Sequence, residues 1–358
     1  MGRFIPVFLI LLVLVLFLHW FLAHSTVQFL RTVCPGIRPI FIYLLFGLLA
    51  AVMLLRFALR GDGIPGLAAV GDIWMGVFVL LLLWTLLGSL VILAGKLFHP
   101  TTDRLRRIVG ILVAAVTVGT SAYALCHAGQ VKLKTYEVTL KKPCACHVAL
   151  VSDLHLGATF SERNLERTVA QLKALSPDVV CIAGDLFNDD FSSVEHPERV
   201  RELLQCIPSA YGVYACWGNH DSGDSRERSF VESCGIRLLQ EEAVTVGDKL
   251  TLVGRSERAG RGDTAAFMAS VSGDLPVIVL DHNPAHIGEY DSADLILCGH
   301  THRGQIFPAN LITNAIYQVD YGYYRQDDTQ VIVTSGACYW GMPMRLGSDS
   351  EVVSILLD

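Results

Sequence analysis

Four long runs of apolar residues fill the first third of this chain, and nothing else in the sequence limits its fold as strongly. They cover residues 4–23, 40–59, 73–95 and 108–128. Each approaches the ~20 residues needed to cross the hydrocarbon core of a bilayer. In hydrocarbon every backbone polar group must find its partner within the protein, so runs of this length are helices. The expectation is a multi-pass α-helical membrane region over residues 1–130. Hydrophobic residues make up 52% of the 358 and charged residues only 17%, an excess concentrated in this region. The first run is long for a signal-peptide core and no small-residue cleavage site follows it, so it reads as an anchor.

Arg56, near the end of the second run, reads as a cation snorkelling to the interface, with Trp20, Trp74 and Trp84 as interfacial anchors. His19 and His127, near run ends, read as interfacial polar groups. No acid or His cluster marks a transport path. Lys96, Arg104, Arg106 and Arg107 crowd the short segment between the third and fourth runs. By the positive-inside tendency this leans the remaining chain towards the extracytoplasmic side. Ten Cys without framework spacing lean it the other way. The expected location is the cell membrane, with the lipid bilayer as a partner.

Downstream, residues 131–146 alternate and read as an edge strand and linker, leaving 147–358 as a second domain. Cys144-Ala-Cys146-His147 has one Cys pair and no second pair at zinc spacing, so it reads as two incidental thiols. Short apolar runs alternate with helical patterns. Strands are expected at 148–152, 179–183, 211–217, 276–280 and 295–298, with helices near 161–175, 197–207, 224–234 and 264–271. Ser161 stands where an N-cap belongs. The tail, 317–357, reads as hairpins. Arg261-Gly-Asp263 reads as a chance tripeptide in a polar loop. A net charge of −6 argues against a nucleic-acid partner. This order of elements suggests α/β layers with mixed or antiparallel sheet.

Five of the strands end in polar sets: Asp153/His155, Asp185, Asn219/His220, His282 and His300/His302. Ligands of α/β sheets sit beyond the carboxyl ends of strands, so these sets can converge. Single strand-end His residues are ordinary, but five of the twelve His falling into such sets are not independent accidents. Mixed Asp, Asn and His ligands suit Mn, Fe, Zn, Co or Ni better than Ca or Mg alone. There are enough for two divalent metal ions, which need a bridging carboxylate and can clamp a phosphoryl group. His147, His196 and His286 have no such context and read as structural.

In order along the chain, Asp153-Leu-His155, Gly184-Asp185, Gly218-Asn219-His220-Asp221, His282 and Gly299-His300-Thr-His302 resemble the pattern of the calcineurin-like metallophosphoesterase superfamily. With Leu156-Gly157, Asn283-Pro284 and Gly304-Gln305 they are similar to its branch of transmembrane proteins with a metallophosphoesterase domain. The resemblance implies two packed mixed β-sheets flanked by helices. It implies that Asp153, His155 and His302 hold one metal, Asn219, His282 and His300 a second, and Asp185 bridges them. It also implies that His220 faces the phosphate as general acid or charge stabiliser, with Asp221 orienting it. Asn188 stands where many relatives have an acid, and Arg303 where they often have Gly; Arg303 is a candidate phosphate contact.

The activity so implied is hydrolysis of a phosphodiester or pyrophosphate bond by water, without a phosphoenzyme. Anchoring favours a lipid-linked substrate, and the superfamily includes UDP-2,3-diacylglucosamine pyrophosphatases. Phosphoprotein, nucleotide and cell-wall polymer substrates stay open. The rival from another class is a non-catalytic, metal-stabilised membrane receptor or scaffold. Oligomeric state and metal identity are not written in the sequence.

Overall fold

The structure, a computed structural model, describes residues 4–58, 65–98, 103–188, 190–256, 264–271, 273–326 and 328–358. Residues 261–263, the chance tripeptide, lie outside these. The chain divides into two compact units, Met1–Ala124 and Leu125–Asp358.

The first unit is helical: α1 (Phe4–Val33), α2 (Pro39–Ala58), α3 (Pro65–Phe98) and most of α4 (Asp103–Ala128). All four are long and apolar enough to cross a membrane. Helix α1 runs ten residues past the first apolar run. Polar side chains extend it by satisfying one another along the helix: Gln28 Nε2 lies 2.6 Å from His24 Nε2, and Thr32 Oγ1 donates to the Phe29 carbonyl.

Three expectations for this unit change. His19 is buried, not interfacial. Its Nδ1 donates to the Val15 carbonyl at 2.9 Å and its Nε2 accepts from Trp74 Nε1 at 3.1 Å, so both ring nitrogens are satisfied by structure. Trp74 and Trp84 are likewise helix–helix ties, Trp84 Nε1 donating to Thr120 Oγ1. Arg56 pairs at 3.1 Å with Asp72, a buried carboxylate just before the third apolar run. A charge in an apolar bundle lowers its cost by pairing when a partner is in reach.

The second unit holds two six-stranded mixed sheets. In the first, β1 (Val131–Val138), β12 (Ser350–Leu357), β2 (Cys146–Val151), β3 (Val179–Ala183), β4 (Val213–Cys216) and β5 (Ile236–Leu238) lie side by side. Strands β2 to β5 are mutually parallel, and β12 is antiparallel to β2 and parallel to β1. The second sheet runs β10 (Gly322–Gln326), β11 (Thr329–Val333), β9 (Leu295–Cys298), β8 (Val277–Leu280), β7 (Leu250–Gly254) and β6 (Glu242–Val246). Its four inner strands are parallel and its two edges antiparallel.

An apolar layer containing Leu150, Cys181, Leu252, Leu297 and Ile355 fills the space between the sheets. Helices α5 (Ser161–Leu175), α6 (Pro197–Gln205) and α7 (Ser225–Ser233) cover the outer face of the first sheet, with Leu165, Val200 and Val231 in that layer. Helix α8 (Thr264–Ser270) places Met268 on the outer face of the second. These are the two packed mixed sheets flanked by helices that the resemblance implied. Cys181, Cys216 and Cys298 are buried strand residues.

Two readings of the second unit need correction. The tail is not all hairpins. Only β10 and β11 form one; β12 crosses to the other sheet and lies between β1 and β2. Its run is buried on nearly every residue, the pattern of a central strand, not an edge. Before the hairpin, residues 309–316 form helix α9 (Ala309–Ile316). Ser161 is not the N-cap of α5. Phe160 holds that position with φ 66°, and Ser161 Oγ accepts from the Gly157 N–H.

Candidate metal centre

Parallel pairing sets the site. Strands β2, β3 and β4 are parallel neighbours in one sheet, and β8 and β9 in the other. Their carboxyl ends therefore lie along one rim of the sandwich. Asp153 and His155 follow β2, Asp185 follows β3, Asn219 and His220 follow β4, His282 follows β8, and His300 and His302 follow β9. His282 Nδ1 donates to the Ala183 carbonyl at 2.8 Å, which ties the end of β8 to the end of β3.

The backbone at this rim is strained. Asp153, His155, Asp185, His300 and His302 all have positive φ, between 42° and 75°. Non-glycine residues adopt this region at a cost, and it clusters at functional sites. Glycines allow the close approach. A Cβ on Gly218 would lie 2.1 Å from Asp185 Oδ1, and one on Gly299 1.9 Å from Ser152 Oγ.

The side chains form two knots of donor atoms. In one, His302 Nε2 lies 3.1 Å from His155 Nε2 and 3.3 Å from Asp153 Oδ1. In the other, His282 Nε2 lies 3.1 Å from Asn219 Oδ1 and 3.2 Å from His300 Nδ1. Asp185 Oδ2 reaches both, 3.8 Å from His155 Nε2 and 3.2 Å from His282 Nε2. Thus all seven side chains proposed as ligands come together. Nitrogen and oxygen ligands ~2.0–2.2 Å from a divalent ion sit about 3 Å apart, so the spacing suits one. Asp153 Oδ1 is buried without a hydrogen-bond donor, an orphan that a cation would satisfy. The donor set therefore fits a pair of divalent ions.

Electrostatics suit three of the histidines to the same use. Burial holds the His155 imidazole down to about 3, His300 down to about 4, and His302 well below its ordinary value. All three are neutral at pH 7 with a lone pair to give. Burial opposes the charge on Asp185, but the adjacent His282 outweighs it and holds that carboxyl well below the usual carboxylate range. Burial would lower His282; Asp185 reverses this and pushes it up to about 10. Burial pushes the Asp153 carboxyl up to about 6.

His220 sits beside the knots. Its ring centroid is 5.1 Å from that of His155 and 5.8 Å from that of Trp340. Its Nδ1 donates to the Asn188 carbonyl at 2.8 Å, and its backbone N–H donates to Asp185 Oδ1. That carbonyl orients the His220 ring. Asp221 accepts from the backbone N–H groups of Phe187 and Gly218 at 2.9 and 2.8 Å, joining the turns after β3 and β4. Arg303 turns its guanidinium over the Tyr321 ring at 4.4 Å. It lines a cavity of about 290 Å³ with Asn310, Leu311, Asn314, Asp320 and Tyr321.

Two residues were missed from sequence. Arg345 is fully buried and donates to the carbonyls of His302, Ser335 and Cys338, its Nη2 lying 3.2 Å from His302 Nδ1. It fixes the turn that carries His302. Its only local signal is a charge between Met344 and Leu346. Trp340, against His220, had none.

A family model described as calcineurin-like phosphoesterase matches residues 146–304. A transmembrane protein with metallophosphoesterase domain from Danio rerio is 29% identical, the match covering 79% of this chain and 72% of that protein. The UDP-2,3-diacylglucosamine pyrophosphatase of Chlamydia trachomatis is 25% identical over 47% of this chain and 68% of its own. The chain spans 59% of the length of a curated relative from Helicobacter pylori and 52% of one from Bos taurus. Among solved structures, a dimetal phosphatase from Danio rerio is similar at TM-score 0.36 and 13% identity, covering 54% of this chain and 88% of that one. Residues 146–304 thus match the calcineurin-like phosphoesterase model, and the chain as a whole is similar to transmembrane proteins that carry a metallophosphoesterase domain.

Proposed function

We propose that this protein is a membrane-anchored, two-metal phosphoesterase that hydrolyses a phosphodiester or pyrophosphate bond, with a lipid-linked ester as its substrate. The observation that carries the reading is the double knot of donors sharing Asp185. Asp153, His155 and His302 would hold one divalent ion, Asn219, His282 and His300 the other, and Asp185 both; Mn, Fe, Zn, Co and Ni all suit the set. Such a pair, when bound, supplies Lewis-acid polarisation of the phosphoryl group and a water acidic enough to attack at neutral pH.

The chain supplies the rest. The Asn188 carbonyl holds the proton of His220 on Nδ1, leaving Nε2 to exchange a proton with the leaving oxygen or to stabilise its charge. The buried Arg345 keeps His302 in place as substrates come and go. Arg303, which lines a cavity with Asn310 and Tyr321, would contact a phosphate oxygen or the group beyond it. The lipid preference rests on the four apolar helices and on the lipid-pyrophosphatase relative.

The test is hydrolysis of bis(p-nitrophenyl) phosphate in oxygen-18 water by the full chain with manganese. One labelled oxygen should enter the phosphate product in a single turnover, and Asp185→Asn should be nearly inactive. Wild-type turnover in Asp185→Asn would remove the reading.

A further inference from the structure

Helix α9 follows directly on the turn that carries His300 and His302, yet buries none of its own residues. Leu311, Ile312 and Ile316 are 61%, 60% and 68% exposed. The helix is fixed to the site: a Cβ on Gly304 would lie 2.2 Å from the Asn310 amide nitrogen. Exposed Phe307 and Trp340 continue the apolar surface. They flank Gln305, whose Oε1 accepts from the Trp340 N–H at 2.9 Å and whose Nε2 donates to the carbonyls of Trp340 and Met342. The next residue along, Tyr339, donates to the Thr159 carbonyl at 2.5 Å, beside exposed Phe160. A rim of large apolar side chains therefore runs from α9 past the metal centre to the start of α5. Patches of this kind on a soluble surface mark a contact.

The position of the rim says what covers it. Tyr339 and Cys338 pack on Ala128, the last residue of the fourth apolar helix. The Ala128 carbonyl accepts from Asn164 of α5 at 2.9 Å, and β1 begins at Val131. The same end of α5 carries exposed Arg163 and Arg167 among Glu162 and Glu166; Glu162 pairs with His196 and Glu166 with Arg199, which leaves the two arginines to meet anionic headgroups. Apolar and aromatic side chains beside cations are the composition of an interfacial membrane contact.

We infer that Phe160, Phe307, Leu311, Ile312, Ile316 and Trp340 form a docking surface for the headgroup–hydrocarbon boundary of the bilayer that the chain itself crosses. The metal centre then opens onto the headgroup layer. The cavity beside Arg303, between the ligand turn and α9, is where a headgroup would lie while its acyl chains stay in the membrane. This deepens the lipid-substrate reading above and rests on it for the substrate, though not for the docking.

The test is a spin label at Ile312→Cys in the full chain with exposed Cys34, Cys126 and Cys206 changed to Ser, reconstituted in phosphatidylcholine–phosphatidylglycerol vesicles. Glu202→Cys, on the exposed face of α6, is the control. Label 312 should relax more with oxygen than with a water-soluble nickel chelate, at a depth of roughly 5–10 Å, and label 202 the reverse. Nickel access at 312 equal to that at 202 would overturn the inference. So would dipolar coupling between 312 labels, which would give the surface to a second copy. In a second arm, Ile312→Asp/Ile316→Asp should keep bis(p-nitrophenyl) phosphate turnover within about twofold and lose at least about tenfold on CDP-diacylglycerol in vesicles. Unchanged vesicle hydrolysis would contradict the docking surface. An unmutated chain inert on both substrates would sink the hydrolase reading alone, with the labels still deciding the docking.

Discussion

His220 and Asp185 touch through a backbone N–H, yet the account gives them separable jobs. On the proposed function, His220 would move a proton and hold no ion. His220→Ala should therefore lower turnover by about 10²–10⁴-fold with metal content unchanged, measured by steady-state assay and elemental analysis. Loss of metal together with activity would make it a ligand instead. Arg345 is the converse case, a residue outside the donor set that should alter metal binding. Arg345→Met removes the donors that hold the His302 carbonyl and should weaken metal affinity by about 10–100-fold in a chelator titration. An unchanged titration would leave Arg345 a core residue only.

At the level of elements, the turns after the strands carry the design. Gly218 has no room for a side chain because the Asp185 carboxylate fills it, whereas a Cβ on Gly288 would meet nothing within 4 Å. Gly218→Ala should destabilise the second unit by about 1–3 kcal/mol and displace Asp185; Gly288→Ala should be near neutral. Thermal unfolding of both in detergent checks the contrast. The same turns were the legible part of the sequence. An apolar run that stops at Gly-Asp185 or Gly-His300 shows locally where a strand ends and what it presents. What a strand pairs with is not local. Strand β12 looked like part of a hairpin because nothing in 350–357 names β1 and β2 as partners. Helix α9 is short and buries none of its residues, so no core pattern marks it, and Arg56 was read alone because Asp72 lies 16 residues away.

For the whole molecule, metal and fold are linked in the second unit. An ion that binds only the folded state adds RT ln(1 + [L]/Kd), about 2.7 kcal/mol at a hundredfold excess over Kd. Chelation should lower the unfolding midpoint of the wild type and leave Asp185→Asn nearly unmoved. On the function proposed above, the apolar helices would hold the hydrolytic unit where lipid esters are concentrated, and the exposed rim beside the site suits that placement. All of it depends on two ions held by seven side chains. The most direct measurement is turnover of bis(p-nitrophenyl) phosphate by metal-stripped full-length protein as manganese is returned, with bound metal counted at each step. Activity should rise with binding and level off at two ions per chain. Full turnover with no ion bound, or saturation at two ions without hydrolysis, would contradict the account.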